Sequence, residues 1–98
     1  GVMSRGLGDV YKRQVVRWPV GTFMKPHVDD NNVHKPDMFA AMLYLNDDFE
    51  GGNTVFHDLV VKPEVGKLII FSNSQYLHYV TKVESDERFV LSFWFNTI

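Results

Sequence analysis

Cysteine is absent from the sequence, which excludes disulfides and any thiolate-bound zinc site. A metal ion could therefore be held only by histidine and carboxylate side chains. The formal net charge is −2, so the chain lacks the basic surface typical of nucleic-acid binding. No apolar run approaches the roughly 20 residues that span a bilayer, and no segment has a convincing helical period.

The first 14 residues differ from the rest of the chain, because they show neither strand alternation nor a signal-peptide layout. Residues 9–14, with the sequence DVYKRQ, resemble the in-frame translation of a sequencing-library adapter. We interpret residues 1–14 as a non-native leader and residues 15–98 as one partial domain that is truncated at its N-terminus. A natural disordered N-terminus is the alternative.

Short β-branched and aromatic segments recur about every ten residues in the remaining chain, separated by turn-forming residues. The predicted strands are 15–18, 22–29, 38–45, 53–56, 59–62, 67–71, 76–83 and 88–95. Many short strands without a helix predict an all-β antiparallel sandwich or barrel.

The last predicted strand separates its side chains into two different faces, because strand residues alternate with period two. One face is mixed and is expected to look into a polar cavity: Arg88, Val90, Ser92 and Trp94. The other face is wholly apolar: Phe89, Leu91, Phe93 and Phe95. Such a face needs cover, and we expect that cover to come from helices upstream of residue 15.

A histidine and an aspartate two positions apart, His27 and Asp29, point the same way in an extended segment. Both can then reach one cation. A second histidine from a distant strand, with His78 as the candidate, would complete the two-histidine, one-carboxylate triad that holds Fe(II) and leaves coordination positions open. The alternatives are a surface turn pair at His27 and Asp29, and a structural histidine at His78.

Residues 15–95 resemble the prolyl 4-hydroxylase branch of the Fe(II)/2-oxoglutarate-dependent dioxygenases. The resemblance rests on the order and spacing of several motifs. These are an aromatic-x-x-Gly with Trp18 and Gly21, Pro26 before His27, Tyr44 followed by Gly51 and Gly52, then His78, and Arg88 ten positions later.

This resemblance implies a double-stranded β-helix, also called a jelly roll, with His27, Asp29 and His78 as iron ligands. It implies Fe(II) as the metal, 2-oxoglutarate and O2 as cosubstrates, and ascorbate as a further reductant. The expected reaction hydroxylates a residue, proline first, of a peptide or protein substrate and releases succinate and CO2.

The resemblance also suggests roles for residues around the metal. Arg88 would bind the distal carboxylate of 2-oxoglutarate, with the Tyr44 hydroxyl and, less directly, Ser92 beside it. Trp94 matches a tryptophan near the cavity. Met24 stands where the family usually has a tyrosine on the substrate side. The alternative for Arg88 is a surface ion pair with the acidic turn that precedes it.

Three functions remain open from the sequence. The first is a peptidyl hydroxylase acting on proline. The second is a related dioxygenase acting on another residue or on a free small molecule, which would keep the iron and 2-oxoglutarate residues. The third is a non-catalytic jelly-roll binding module or an inactive fragment.

Overall fold

The computed structural model describes residues 10–28, 38–72 and 76–96, and within these ranges the regular structure is entirely β-strand. No helix in this part of the chain is long and apolar enough to cross a membrane. The strands are β1 (Val10–Trp18), β2 (Met24–His27), β3 (Met38–Tyr44), β4 (Glu50–Gly51), β5 (Thr54–Phe56), β6 (Leu59–Val61), β7 (Leu68–Ser72), β8 (His78–Val80), β9 (Val83–Ser85) and β10 (Arg88–Asn96).

The strands form two four-stranded antiparallel sheets and a small ribbon. The first sheet has the order β1-β10-β3-β7, the second has the order β2-β8-β5-β6, and β4 pairs with β9. Residues of both four-stranded sheets line one cavity, so the two sheets face each other as in a sandwich. This arrangement confirms the all-β prediction.

The centre of the first sheet is the pairing of β10 with β3, and its register fixes which side chains point inwards. Val90 lies opposite Tyr44, and Ser92 lies opposite Met42. Val90 and Tyr44 are 1% and 0% exposed, respectively. Because partners in register share a face, the inner face predicted for the last strand is the face that packs towards the second sheet.

The outer face of the first sheet is largely apolar and only partly covered. The rings of Phe39 and Phe95 stack with centroids 5.7 Å apart, and Phe95 is 5% exposed. By contrast Val15 is 64% exposed, and Leu68 and Ile70 are each 49% exposed. That upstream helices cover this face stays a prediction.

Several strand predictions are wrong: the strand expected at 22–29 begins at Met24 and ends at His27, and the short strand Glu50–Gly51 was not predicted. Strand β1 begins at Val10, because residues 10–14 continue the antiparallel pairing with β10, for example Gln14 opposite Ser92. Their side chains do not alternate between apolar and polar, so the sequence pattern did not indicate a strand there. The predicted strand at 76–83 is divided into β8 and β9, since Thr81 N donates to Asn53 O while Val83 N donates to Thr22 O. The non-native origin of residues 1–14 stays a prediction.

Candidate active site

Two histidines from different strands meet on the inner face of the second sheet. His27 ends β2, His78 begins β8, and the two residues are direct partners across the antiparallel pair. Their ring centroids are 4.4 Å apart, and both side chains line the cavity between the sheets. The chain therefore brings together two imidazoles that are separated by 50 residues in sequence.

Both imidazoles are oriented by the backbone just before them. His27 Nδ1 donates to the carbonyl oxygen of Lys25 at 2.8 Å, and His78 Nδ1 donates to that of Tyr76 at 3.0 Å. A carbonyl oxygen can only accept, so Nδ1 carries hydrogen in each bond and the neutral ring has its lone pair on Nε2. A contact of this kind commonly orients histidines that bind metals in proteins.

Aromatic rings pack around the side chain of His78. The Phe71 and Phe56 ring centroids lie 4.7 Å and 5.5 Å from the His78 centroid, and His78 is 6% exposed. The adjoining cavity has a volume of about 180 Å³ and is lined mainly by apolar side chains, among them Val16 and Val80. Such a wall limits water access to anything bound at the histidines.

The third predicted ligand, Asp29, lies outside the described residues. Within the described ranges, no cluster of three or more histidine, cysteine or acidic residues could hold a metal. The donor types nevertheless fit Fe(II), because two imidazoles are in place and the H-x-D spacing predicts a carboxylate near one of them. The assignment of the three ligands stays a prediction.

Arg88 is buried behind the cavity wall and is held by three polar contacts. Its Nε donates to Gly52 O at 3.0 Å, and its Nη2 donates to Thr54 Oγ1 at 3.2 Å and contacts Met42 Sδ at 3.5 Å. The guanidinium carbon lies 4.6 Å from the centroid of the Trp18 ring. Its exposure is 0%.

No carboxylate is among the polar contacts of Arg88 in the described structure, and its buried Nη1 has no hydrogen-bond partner there. Burial lowers the pKa of Arg88 from its usual value, and the neighbouring Tyr44 partly offsets this effect. A buried cation without a carboxylate partner is costly. The alternative of an ion pair with the acidic turn is not what the structure shows, because Glu87 of that turn pairs with Arg17.

Thr54 connects Arg88 to Tyr44, and sequence reasoning missed it. Its Oγ1 lies 2.8 Å from the Tyr44 hydroxyl and accepts from Arg88 Nη2. Thr54 is 1% exposed. Strand parity offered a signal, since Thr54 and Phe56 share a face of β5 and a threonine buried on an apolar face needs a polar partner.

The remaining predicted site residues divide into two groups. Ser92, Trp94 and Met24 line the cavity. Arg88 and Tyr44 do not line it, but lie directly behind wall residues such as Thr54. The expectation that Arg88 faces an open polar cavity is therefore wrong for this state of the protein, because Thr54, Met42 and Trp18 all line the cavity and contact the guanidinium.

Comparison with known proteins identifies the class of protein to which this fold belongs. The family model for the 2OG-Fe(II) oxygenase superfamily matches residues 13–96, and the chain belongs to this superfamily. The family takes its name from 2-oxoglutarate and Fe(II), and its members in general use both together with O2. This confirms the resemblance at the level of the superfamily.

Individual relatives include prolyl hydroxylases of two types. Human prolyl 3-hydroxylase 2 is 35% identical over 65 residues, which cover 58% of this chain and 9% of the relative. The structure of a Pseudomonas putida prolyl-4-hydroxylase matches with a TM-score of 0.80 and 27% identity, over 99% of this chain and 60% of that one. An oxidoreductase of the 2OG-Fe(II) oxygenase family from Burkholderia pseudomallei matches with a TM-score of 0.76 and 26% identity, over 90% and 43%.

Proposed function

We propose that this chain forms the catalytic core of an Fe(II)- and 2-oxoglutarate-dependent dioxygenase that hydroxylates a prolyl residue of a peptide or protein. His27, Asp29 and His78 are the proposed iron ligands. In the overall reaction, 2-oxoglutarate, O2 and a C–H group give succinate, CO2 and the hydroxylated product. Ascorbate is included as a reductant that sustains turnover.

The observation that carries this proposal is the histidine pair. His27 and His78 face each other across β2 and β8, and each has its Nδ1 occupied by a backbone carbonyl. Both Nε2 atoms therefore have the form that binds a metal. Bound iron with its cosubstrates supplies the oxidising power, while the surrounding side chains position the reactants and exclude water.

Arg88 is the proposed anchor for the distal carboxylate of 2-oxoglutarate. Its Nη1 is a buried donor without an acceptor, and a guanidinium matches a carboxylate in geometry and charge. Since Arg88 lies behind the wall, we propose that the ligand displaces the Met42 side chain, which contacts Nη2 and also lines the cavity. Ser92, on the same face of β10, adds a further hydroxyl.

A peptidyl proline is the proposed substrate because the similar proteins are named prolyl 3-hydroxylase and prolyl-4-hydroxylase. We expect the intact protein, incubated with Fe(II), 2-oxoglutarate, ascorbate and proline-containing peptides, to add one oxygen atom to proline. Mass spectrometry locates the oxygen, and amino-acid analysis distinguishes 3- from 4-hydroxyproline. Succinate formation without any modified peptide would contradict the choice of substrate.

A second candidate is a dioxygenase of the same class that acts on another residue or on a small molecule. Met24 favours it, because this residue replaces a tyrosine of the resembled pattern, lines the cavity and is 40% exposed. Trp94 lies in the same cavity. Screening free amino acids beside the peptides separates the two candidates.

Tyr44→Phe is expected to weaken 2-oxoglutarate binding only slightly. The change removes the hydroxyl that bonds Thr54 Oγ1 but keeps the ring near Arg88. A hydrogen bond contributes about 0.5 to 1.5 kcal/mol net, so the KM for 2-oxoglutarate should rise roughly 2- to 12-fold. Steady-state kinetics measure it, and an unchanged KM would make Tyr44 a plain core residue.

A further inference from the structure

We propose that the segment from Gly52 to Thr54 is a positioning element for Arg88, with Gly52 as its critical residue. The inference rests on the proposed function, because it gives these residues a role only if Arg88 binds the cosubstrate. Gly52 does not touch the ligand in this proposal. It acts through the arginine side chain.

The segment contacts the guanidinium at two separate atoms. The carbonyl of Gly52 accepts from Arg88 Nε, and the hydroxyl of Thr54 accepts from Nη2. A planar guanidinium held at Nε and at Nη2 has its rotation fixed. Nη1, the nitrogen without a partner in the described structure, is then left in one orientation for an incoming acceptor.

Space at Gly52 is too small for a side chain. A Cβ placed there would lie 2.9 Å from Arg88 Cδ, 3.0 Å from Phe49 Cε2 and 3.3 Å from Val83 Cγ2. The backbone has φ of +62°, which glycine adopts easily. Any side chain at this position therefore pushes directly on the stem of Arg88.

Backbone contacts with Lys82 hold the turn in place and oppose its moving away from such a clash. Gly52 N donates to Lys82 O at 3.1 Å, and a Cβ on Gly51 would lie only 2.0 Å from that same oxygen. Gly51 and Gly52 are thus both pressed against the start of β9. Movement of Arg88 is the easier response to a substitution at Gly52.

The test compares Gly52→Ala with Gly66→Ala in the intact protein. Gly66 also has a positive φ, +85°, but a Cβ there meets nothing within 4 Å, so the control shares the backbone strain without the contact. We expect Gly52→Ala to raise the Kd for 2-oxoglutarate by about 10-fold or more and to shift the Arg88 Nε–H resonance in nitrogen-15 NMR. Gly66→Ala should change neither.

Calorimetric titration with 2-oxoglutarate in the presence of Mn²⁺ gives the Kd, and titration with Mn²⁺ alone checks that the metal affinity is retained. Thr54→Val provides a second variant if Gly52→Ala does not fold, and Thr54→Ser should restore the affinity that valine loses. An unchanged Kd and an unmoved Nε–H resonance in these variants would overturn the positioning role while leaving the proposed function intact. Failure of the wild-type protein to bind 2-oxoglutarate would instead overturn both.

Discussion

Replacing His78 with glutamine is expected to reduce Fe(II)-dependent succinate formation by more than about 100-fold. Changing a group that merely supports a metal ligand costs about 10- to 100-fold, so loss of a ligand itself should exceed that range. Glutamine keeps the size and polarity of the side chain but removes the imidazole Nε2. Asp29→Ala should have an effect of the same order, because it removes the only carboxylate of the proposed triad.

The matched control is His57→Gln. His57 lies in the turn between β5 and β6 and is exposed, whereas His78 packs against Phe56 and Phe71. Metal affinity is measured by titration and succinate by NMR, and circular dichroism verifies that each variant is folded. Normal turnover in a folded His78→Gln protein would remove this residue from the metal site.

The histidine and aspartate of the H-x-D motif could be found from sequence because their relation is local. Strand alternation predicts that two residues at this spacing, such as His27 and Asp29, point to one side. The partnership of His27 with His78 is different, since it depends on β2 pairing with β8. The sequence makes His78 a candidate because a distant predicted strand carries it, and the resemblance to a family implies it as a ligand, but periodicity does not show that the two strands pair. The fold class followed similarly from short strands and their spacing.

The surroundings of Arg88 could not be predicted, because its contacts come from distant parts of the chain. Gly52 precedes it by 36 positions and Met42 by 46. Nothing in the local pattern of β10 indicates that a glycine carbonyl meets Nε. The sequence suggested that Arg88 faces a cavity. In the structure, Thr54 and Trp18 lie between its guanidinium and the cavity. Burial without a carboxylate partner, the feature that distinguishes this arginine, is visible only in three dimensions.

Arg88→Met is expected to weaken 2-oxoglutarate binding strongly while leaving metal binding in place. Truncating one partner of a buried, hydrogen-bonded charge pair costs about 2 to 5 kcal/mol, which corresponds to a Kd raised roughly 30- to 4,000-fold. Methionine occupies a similar volume without the charge. Arg17→Met is the control, because Arg17 is exposed and pairs with Glu87 on the surface.

Thermal unfolding with and without 2-oxoglutarate is a second measurement of how Arg88→Met affects cosubstrate binding. Ligand at 100 times its Kd should stabilise the wild-type protein by about 2.7 kcal/mol, and the same concentration should stabilise Arg88→Met very little. Without ligand, Arg88→Met has two opposing effects on the free energy of unfolding. It removes the cost of burying a charge, but it leaves Gly52 O and Thr54 Oγ1 without the donor they have in the wild-type protein. If Arg88→Met keeps the full ligand-induced stabilisation, the cosubstrate carboxylate binds elsewhere and the buried guanidinium is purely structural.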